Sequence, residues 1–306
     1  MGQVLRAVLL LVVLIIVLVV YLHQSARVIL PVRDAKKAKL VEQEINRYIA
    51  DLPNQGSVQV VPGVDFASLE TVRQFAAKMA GEKIDILVNN AGMLDENVGK
   101  TVDGNERVYQ VNHLAPFLLT KLLLPNLAPK SRVVFVGSLL HYFSAGVLGD
   151  KYSVQVRGLG KETASGMDRY FDTKLMNTMT AMSFHERFGD LGIAFHSIHP
   201  GYAISNLESG MDSNLVYPFD EMAAVVRKVV ARTTQQGAVT QITVATHPTL
   251  TAGGKYFSDY CINTLCNKDC FYCDKENAPG VVPHKEALDR KARDWLWETS
   301  CKLTGV

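Results

Sequence analysis

Tyr170 and Lys174 stand four residues apart in Tyr170-Phe-Asp-Thr-Lys174, within Met167 to Phe188, a stretch whose pattern predicts a helix. Positions i and i+4 share a helix face, so the Lys174 ammonium is expected beside the Tyr170 phenol. A cation there favours the phenolate, and drawing its pKa from about 10 toward neutrality would make Tyr170 a proton donor or acceptor. The same spacing is common in solvated surface pairs, so these two residues carry weight only in company.

Three further stretches supply that company. Leu87 to Gly92 reads LVNNAG, a strand end followed by small and amide residues. It reads equally as a plain strand-to-loop turn and as a floor for a flat cofactor, because nothing bulky intrudes at Asn89, Ala91 and Gly92. Val111 to Pro116 reads VNHLAP, which places Asn112 on an otherwise apolar helix where a buried amide must find partners. Phe135 to Leu139 reads FVGSL and puts Ser138 at the carboxyl end of a strand, where ligands sit in open α/β sheets. A Gly-x-Gly at Gly158 and Gly160 is a weak phosphate motif, since neither a strand before it nor a helix start after it frames it.

The elements that must position these residues alternate along the chain. Strands are predicted at Val28 to Val32, Val58 to Val64, Ile84 to Val88, Arg132 to Val136 and Ile193 to Ile198, with a further one in GGKYFSD after Gly253. Helices are predicted at Ala35 to Ala50, Leu69 to Met79, Val102 to Leu127 and Met167 to Phe188. This order predicts an α/β fold, a doubly wound and mostly parallel sheet with helices on both faces. There is no internal repeat or low-complexity linker, so residues 26–306 read as one domain.

Taken together, the four stretches resemble the short-chain dehydrogenase/reductase family, in particular its membrane-anchored, retinol-dehydrogenase-like branch. The resemblance covers about residues 26–260 and continues weakly through ARDWLWETSCKLTG. It implies a Rossmann-type fold and hydride transfer with NADP(H), NAD(H) staying open. In that reading Tyr170 passes the proton, Lys174 tunes Tyr170 and holds the nicotinamide ribose, Ser138 hydrogen-bonds the reacting oxygen and Asn112 supports a relay water. Gly137 stands where relatives usually carry another serine. Pro200 and Gly201 resemble the turn beside the nicotinamide, Ser205 a cofactor-contacting position, and Asp65 the acid near the adenine. Arg33 matches the residue that meets the 2′-phosphate of NADP, which a fixed cation suits. The implied substrate is a lipophilic alcohol or carbonyl, retinoid-like or steroid-like, and the loop Glu208 to Pro218, with Met211, Leu215 and Tyr217, falls where the family's substrate lid lies.

One part of the family pattern is missing. A first strand and a glycine-rich turn should precede RVILPVRD, yet no glycine occurs between Gly2 and Gly56. The apolar run before Arg27 is a poor substitute. Parallel neighbours need a crossover of about ten to twelve residues, and only Leu22 to Ala26 follow it. The pyrophosphate would lack its backbone cradle and helix N-terminus. The expectation is a sheet without its first strand, opened beside the second, and Pro31 fits a strand with a free edge. Two explanations stand: a splice form of an active reductase, or a chain that has lost cofactor binding and serves as an anchored binding or scaffold protein. Either way, this chain is expected to bind NADP(H) poorly.

The start of the chain and its thiols complete the reading. Ala7 to Leu22 is sixteen residues with no polar side chain but the Tyr21 hydroxyl, spanning about 24 Å as a helix against a hydrocarbon core of about 30 Å. Residues 1–25 read as an uncleaved transmembrane anchor, ahead of a buried element or a signal peptide. Arg27, Arg33, Lys36, Lys37 and Lys39 follow it and only Arg6 precedes it, which puts the domain in the cytosol, with the endoplasmic reticulum the default membrane. Cys261, Cys266, Cys270 and Cys273 lie in an apparent insertion at 261–284. Their spacing departs from paired zinc knuckles, so free thiols are expected there rather than zinc or disulfides. A net charge of +2 with no basic, aromatic-interleaved face argues against a nucleic-acid partner, and a homo-oligomer is compatible with the sequence.

Overall fold

The structure, a computed structural model, describes residues 26–50, 56–97, 99–144, 165–201, 234–248, 250–258 and 282–306. The anchor expected at 1–25, Gly158 and Gly160, Ser205, the loop at 208–218 and the cysteines at 261–273 lie outside these residues. Among the described residues no helix is long and apolar enough to cross a membrane, and no group of three or more His, Cys, Asp or Glu side chains could hold a metal ion.

The described strands form two parallel sheets. β1 (Arg27–Val32) pairs with β2 (Ser57–Pro62), in register from Arg27 opposite Ser57 to Val32 opposite Pro62, across helix α1 (Ala35–Ile49). β3 (Ile84–Asn89), β4 (Leu127–Val136), β5 (Ala194–His199) and β6 (Lys255–Ser258) form the second sheet in that order. Among the described strands β1 pairs only with β2, and β3 only with β4. The starts of the two sheets lie side by side, because Arg27 at the head of β1 is ion-paired at 2.8 Å with Glu82, just before β3. Ile29 of β1 and Ile84 and Leu87 of β3 also pack against one apolar cluster, built on Val72, Phe75, Leu118 and Leu119.

Among the described strands the sheet divides beside β1, the strand expected to be second; residues 1–25 lie outside the described residues. Burial records it: no residue of β1 is fully buried and only Asn89 of β3 is, whereas all six residues of β5 are. Pro31 sits in the strand that borders the division, a position that tolerates its missing N–H.

Around the four-stranded sheet the strands alternate faces as their period of two requires. Val133, Phe135 and Phe195 point to one side and meet Phe117 and Phe184. Val134, Val136 and Ile198 point to the other and meet Val244, Ala245 and Phe257. The first face is covered by α3, which runs from Arg107 to Leu123, and by α4 (Gly166–Phe188), the second by α5 (Thr234–Thr246). The chain ends in the short α6 (Lys285–Leu288) and in α7 (Arg290–Thr304), whose Ala292 and Leu296 pack on Leu175, Met176 and Met179 of α4. Helix α2 (Leu69–Lys78) packs against α3.

Helix α3 departs from the single long helix expected over Val102 to Leu127. It comprises Arg107–Tyr109, a π-helical turn Gln110–Leu114 and Ala115–Leu123. Gly104, at φ +84°, closes a tight turn ahead of it, and the Glu106 carboxylate accepts hydrogen bonds from the N–H groups of Val108 and Tyr109 to start the helix. At the other end Leu127 already belongs to β4.

Candidate active site

Strands β3, β4 and β5 deliver three of the sequence-predicted stretches to one edge. Asn90 to Gly92 leave β3, Gly137 and Ser138 leave β4, and Pro200 and Gly201 leave β5, all at carboxyl ends of parallel neighbours. Helix α4 brings the fourth. Its start is fixed by a reciprocal cap in which Ser165 Oγ accepts from Asp168 N at 3.1 Å while the Asp168 carboxylate accepts from Ser165 N. From there Asp172, Thr173, Lys174, Asn177 and Thr178 are all buried, an unusual polar load for a helix covering a sheet.

Each of those buried groups has work to do. Asn112, fully buried in the π-helical turn, takes both main-chain groups of Met93: its Oδ1 accepts from Met93 N at 2.7 Å and its Nδ2 donates to Met93 O at 2.9 Å. The second Nδ2 hydrogen goes to Thr173 Oγ1 at 3.1 Å. Both of its amide hydrogens are thus used, so the side chain has no donor left for a relay water. The local widening that turns this side chain toward Met93 is of a kind often found at functional sites.

Lys174 Nζ donates to Val136 O at 3.0 Å, and Asn177 Nδ2 reaches the same carbonyl at 3.4 Å. The ammonium also lies 5.4 Å from the centre of the Tyr170 ring, over its face. Burial lowers the Lys174 pKa to about 8. Tyr170 is pushed up to about 12 by burial, with the Ser138 side chain acting the other way. The expected lowering of the phenol by Lys174 is thus absent from this state. The cation points at a carbonyl and at the ring rather than at the phenol oxygen, and desolvation of the phenolate dominates.

Gly92 closes the group. A Cβ at this residue would stand 3.3 Å from Lys174 Nζ and 3.4 Å from Asn112 Oδ1, while Ala91 and Gly92 themselves are exposed. The floor is open on one side and lined by the two polar side chains on the other. Gly137 is confined too, since a Cβ there would come 3.1 Å from Ile198 O and 3.4 Å from Thr178 Oγ1. Gly201 holds φ +78° and donates its N–H to His199 Nδ1 at 3.1 Å.

The remaining predicted residues are placed differently. The Asn89 side chain faces inward and donates to Thr120 Oγ1 at 2.9 Å, so it joins β3 to α3. Arg33, exposed after β1, and Asp65, whose carboxylate accepts from Ala67 N at 2.9 Å, belong to the two-stranded sheet across the division. Gln110 Nε2 donates to Phe66 O at 3.2 Å and keeps the Asp65 loop close to the π-helical turn. Thr173, Asn177 and the Val136 carbonyl went unnoticed in the sequence. The only signal for the first two was the run of small polar residues in α4 at positions that an amphipathic helix would have kept apolar.

The described strands thus form a parallel α/β fold with Ser138 at the carboxyl end of β4, and with Tyr170 and Lys174 of α4 and Asn112 of α3 beside the strand ends. The family profile described as short chain dehydrogenase matches residues 19–153. Human retinol dehydrogenase 11 is 31% identical over 293 residues, covering 92% of this chain and 79% of that protein. Mouse retinol dehydrogenase 12 is 29% identical over 289 residues, covering 92% and 80%. Among solved structures, an uncharacterised Mycobacterium paratuberculosis protein superposes with a TM-score of 0.62 at 23% identity, covering 91% of this chain and 84% of that one. A metagenomic blue fluorescent protein in complex with NADPH gives 0.55 at 19%, covering 76% and 85%. The chain belongs to the short-chain dehydrogenase/reductase family and is homologous to retinol dehydrogenases.

Proposed function

We propose that the chain carries the proton-transfer half of an oxidoreductase site for lipophilic alcohols or carbonyls, retinoid-like or steroid-like, and holds NADP(H) only weakly. The observation that carries this reading is a run of contacts from the exposed Gly92: Lys174 and Asn112 lie beside it, the Tyr170 ring lies beside Lys174, and Ser138 beside Tyr170. The nicotinamide cofactor supplies the hydride when bound. On its nicotinamide side the residues fit: the floor at Gly92 is flat, and Lys174 lies next to it to reach a ribose. On the pyrophosphate side they do not, because the sheet divides there and no glycine-rich turn opens a helix among the described residues.

The protein's own steps follow from the geometry. Ser138 hydrogen-bonds the reacting oxygen and Tyr170, protonated throughout the physiological range, donates to it, so the cofactor-free site is set for carbonyl reduction. Lys174 stays cationic below about pH 8 and orients the phenol from its ring face. Residues 1–25 anchor the domain to the endoplasmic reticulum with the site facing the cytosol, which brings lipophilic substrate to it from the membrane. Flotation of the full chain with liposomes, lost on deleting residues 1–25, tests the anchor.

A second reading, a catalytically silent anchored protein, is favoured by the divided sheet alone. Titration of NADPH against the purified chain, followed by its fluorescence, separates the two. Saturable binding in the high micromolar to millimolar range, weakened by Lys174→Ala, together with carbonyl reduction abolished by Tyr170→Phe, supports the enzyme. A folded sample with no binding at millimolar NADPH removes it.

A further inference from the structure

His141 sits three residues after Ser138 and is fully buried. Both of its ring nitrogens are engaged, and their partners leave a single tautomer. Nε2 lies 3.1 Å from the main-chain nitrogen of His284, which can only donate, so Nε2 is an acceptor. Nδ1 lies 2.7 Å from the Ser138 carbonyl oxygen, which can only accept, so Nδ1 carries the proton. The same carbonyl accepts from His141 N at 3.1 Å, which closes the short helical turn Leu139–Phe143 onto Ser138. The neighbouring Tyr142 hydroxyl donates to Val282 O, so two consecutive residues grip the segment 282–284.

That segment is itself fixed. His284 Nδ1 accepts from Glu286 N and starts α6, whose Ala287 is buried against Leu175 and Met176 of α4, next to Lys174. The imidazole also packs on the rings of Tyr142 and Tyr256, at 4.0 and 4.9 Å between centroids. A neutral, doubly bonded imidazole thus connects the main chain of Ser138 to a segment held by α4, the helix that carries Tyr170 and Lys174.

We propose that His141 is a positioning residue for Ser138: it fixes the serine's main chain relative to α4 through the Ser138 carbonyl and the His284 amide, and so sets the Ser138-to-Tyr170 geometry. The proposal rests on the oxidoreductase reading for its kinetic consequence but not for its structural one. His141→Phe keeps the ring packing and removes the hydrogen bonds to Ser138 and His284, together with the longer contact of the Tyr256 hydroxyl with Nδ1 at 3.5 Å. His141→Asn retains a donor near the position of Nδ1 and loses the acceptor for His284. A loss of about 1 Å in alignment is worth on the order of tenfold to a hundredfold in rate.

The experiment combines two readouts on the full chain. In nitrogen-15 spectra of the histidine side chains, the signals lost in His141→Phe should be those of a neutral ring protonated on Nδ1. Amide hydrogen exchange at His284 should accelerate at least tenfold in both variants. In carbonyl-reduction assays at saturating NADPH, His141→Phe should lower kcat about tenfold or more with KM nearly unchanged, and His141→Asn should recover part of it. A ring protonated on Nε2, or unchanged His284 exchange in His141→Phe, overturns the assignment whether or not the chain is an enzyme. Tautomer and exchange as expected with kcat unaffected overturn the positioning role, provided Tyr170→Phe abolishes turnover. If Tyr170→Phe leaves turnover unchanged, the oxidoreductase reading fails separately and the positioning role for Ser138 falls with it.

Discussion

At the scale of single residues, Lys174 bears the largest electrostatic cost in the site. It is 4% exposed and its ammonium has one carbonyl and one ring face in place of water. Its pKa of about 8 in the folded chain lies below the ordinary 10.5. Between those values the unfolded chain still holds a proton that the folded chain has released, so stability rises with pH across that window, and below about pH 8 the full cost of the buried charge is present. Lys174→Met should therefore stabilise the fold by about 2 kcal/mol at pH 7, after allowing for the lost hydrogen bond, and by progressively less toward pH 10. Thermal unfolding of both proteins from pH 7 to 10.5 measures this. Equal melting temperatures for the two proteins across that range would show that Lys174 is not strained by burial. The identity of this pair was legible in Tyr170-x-x-x-Lys174, because helical spacing alone sets which residues share a face. Its electrostatics was not, because burial of the phenol depends on β4 and on Ser138, which the helix sequence does not contain.

At the scale of elements, the loop that carries Gly92 is held from two helices, α3 and α4. Asn112 takes the main chain of Met93, and Arg169 donates to the carbonyls of Asp95 and Glu96. Glu106 starts α3 and pairs with Arg169 at 3.5 Å, both side chains being almost wholly buried. Removing one partner of a buried pair leaves the other charge uncompensated. Glu106→Ala should cost about 3–5 kcal/mol, read from urea unfolding, because it also removes the cap on Val108 and Tyr109. Glu106→Gln should cost less, since an amide oxygen still caps the helix. A cost under about 1 kcal/mol for Glu106→Ala would mean that the cap and the ion pair are both dispensable. Strand and helix bounds for α1, α2, α4 and β3 follow their apolar periods closely, because each period is a local property of the sequence. The π-helical turn in α3 is not local: it exists where Asn112 reaches Met93, nineteen residues earlier.

At the scale of the whole molecule, the division between β1 and β3 links stability to cofactor binding. Two parallel strands border it with half-buried apolar residues, among them Ile29, Leu30 and Val32 on one side and Ile86, Leu87 and Val88 on the other. The absence of a glycine-rich turn was legible in the sequence, whereas the packing of both described sheets on one core was not, because it depends on Phe75, Leu118 and Leu119 reaching strands on either side. A strand placed between them would pair with the two edges that no described strand covers and finish burying these side chains. Complete burial of an aliphatic side chain is worth about 1.5–3 kcal/mol, so the second half of it for several residues amounts to several kcal/mol. The turn after such a strand would also set a helix N-terminus against the pyrophosphate. Inserting a strand, glycine-rich turn and helix of about thirty to forty residues between Leu22 and Arg27 should therefore act twice. It should raise the melting temperature and tighten NADPH binding by at least about a hundredfold, since a phosphate site that contributes about 3 kcal/mol changes affinity by that factor. Stabilisation without tighter binding would place the defect in Arg33, Asp65 or the floor at Gly92 rather than in the turn. Tighter binding without stabilisation would mean that the two sheet edges are already satisfied. An insertion that changes neither would show that the division is not a strand-sized vacancy, and the weak-cofactor reading would lose its structural cause.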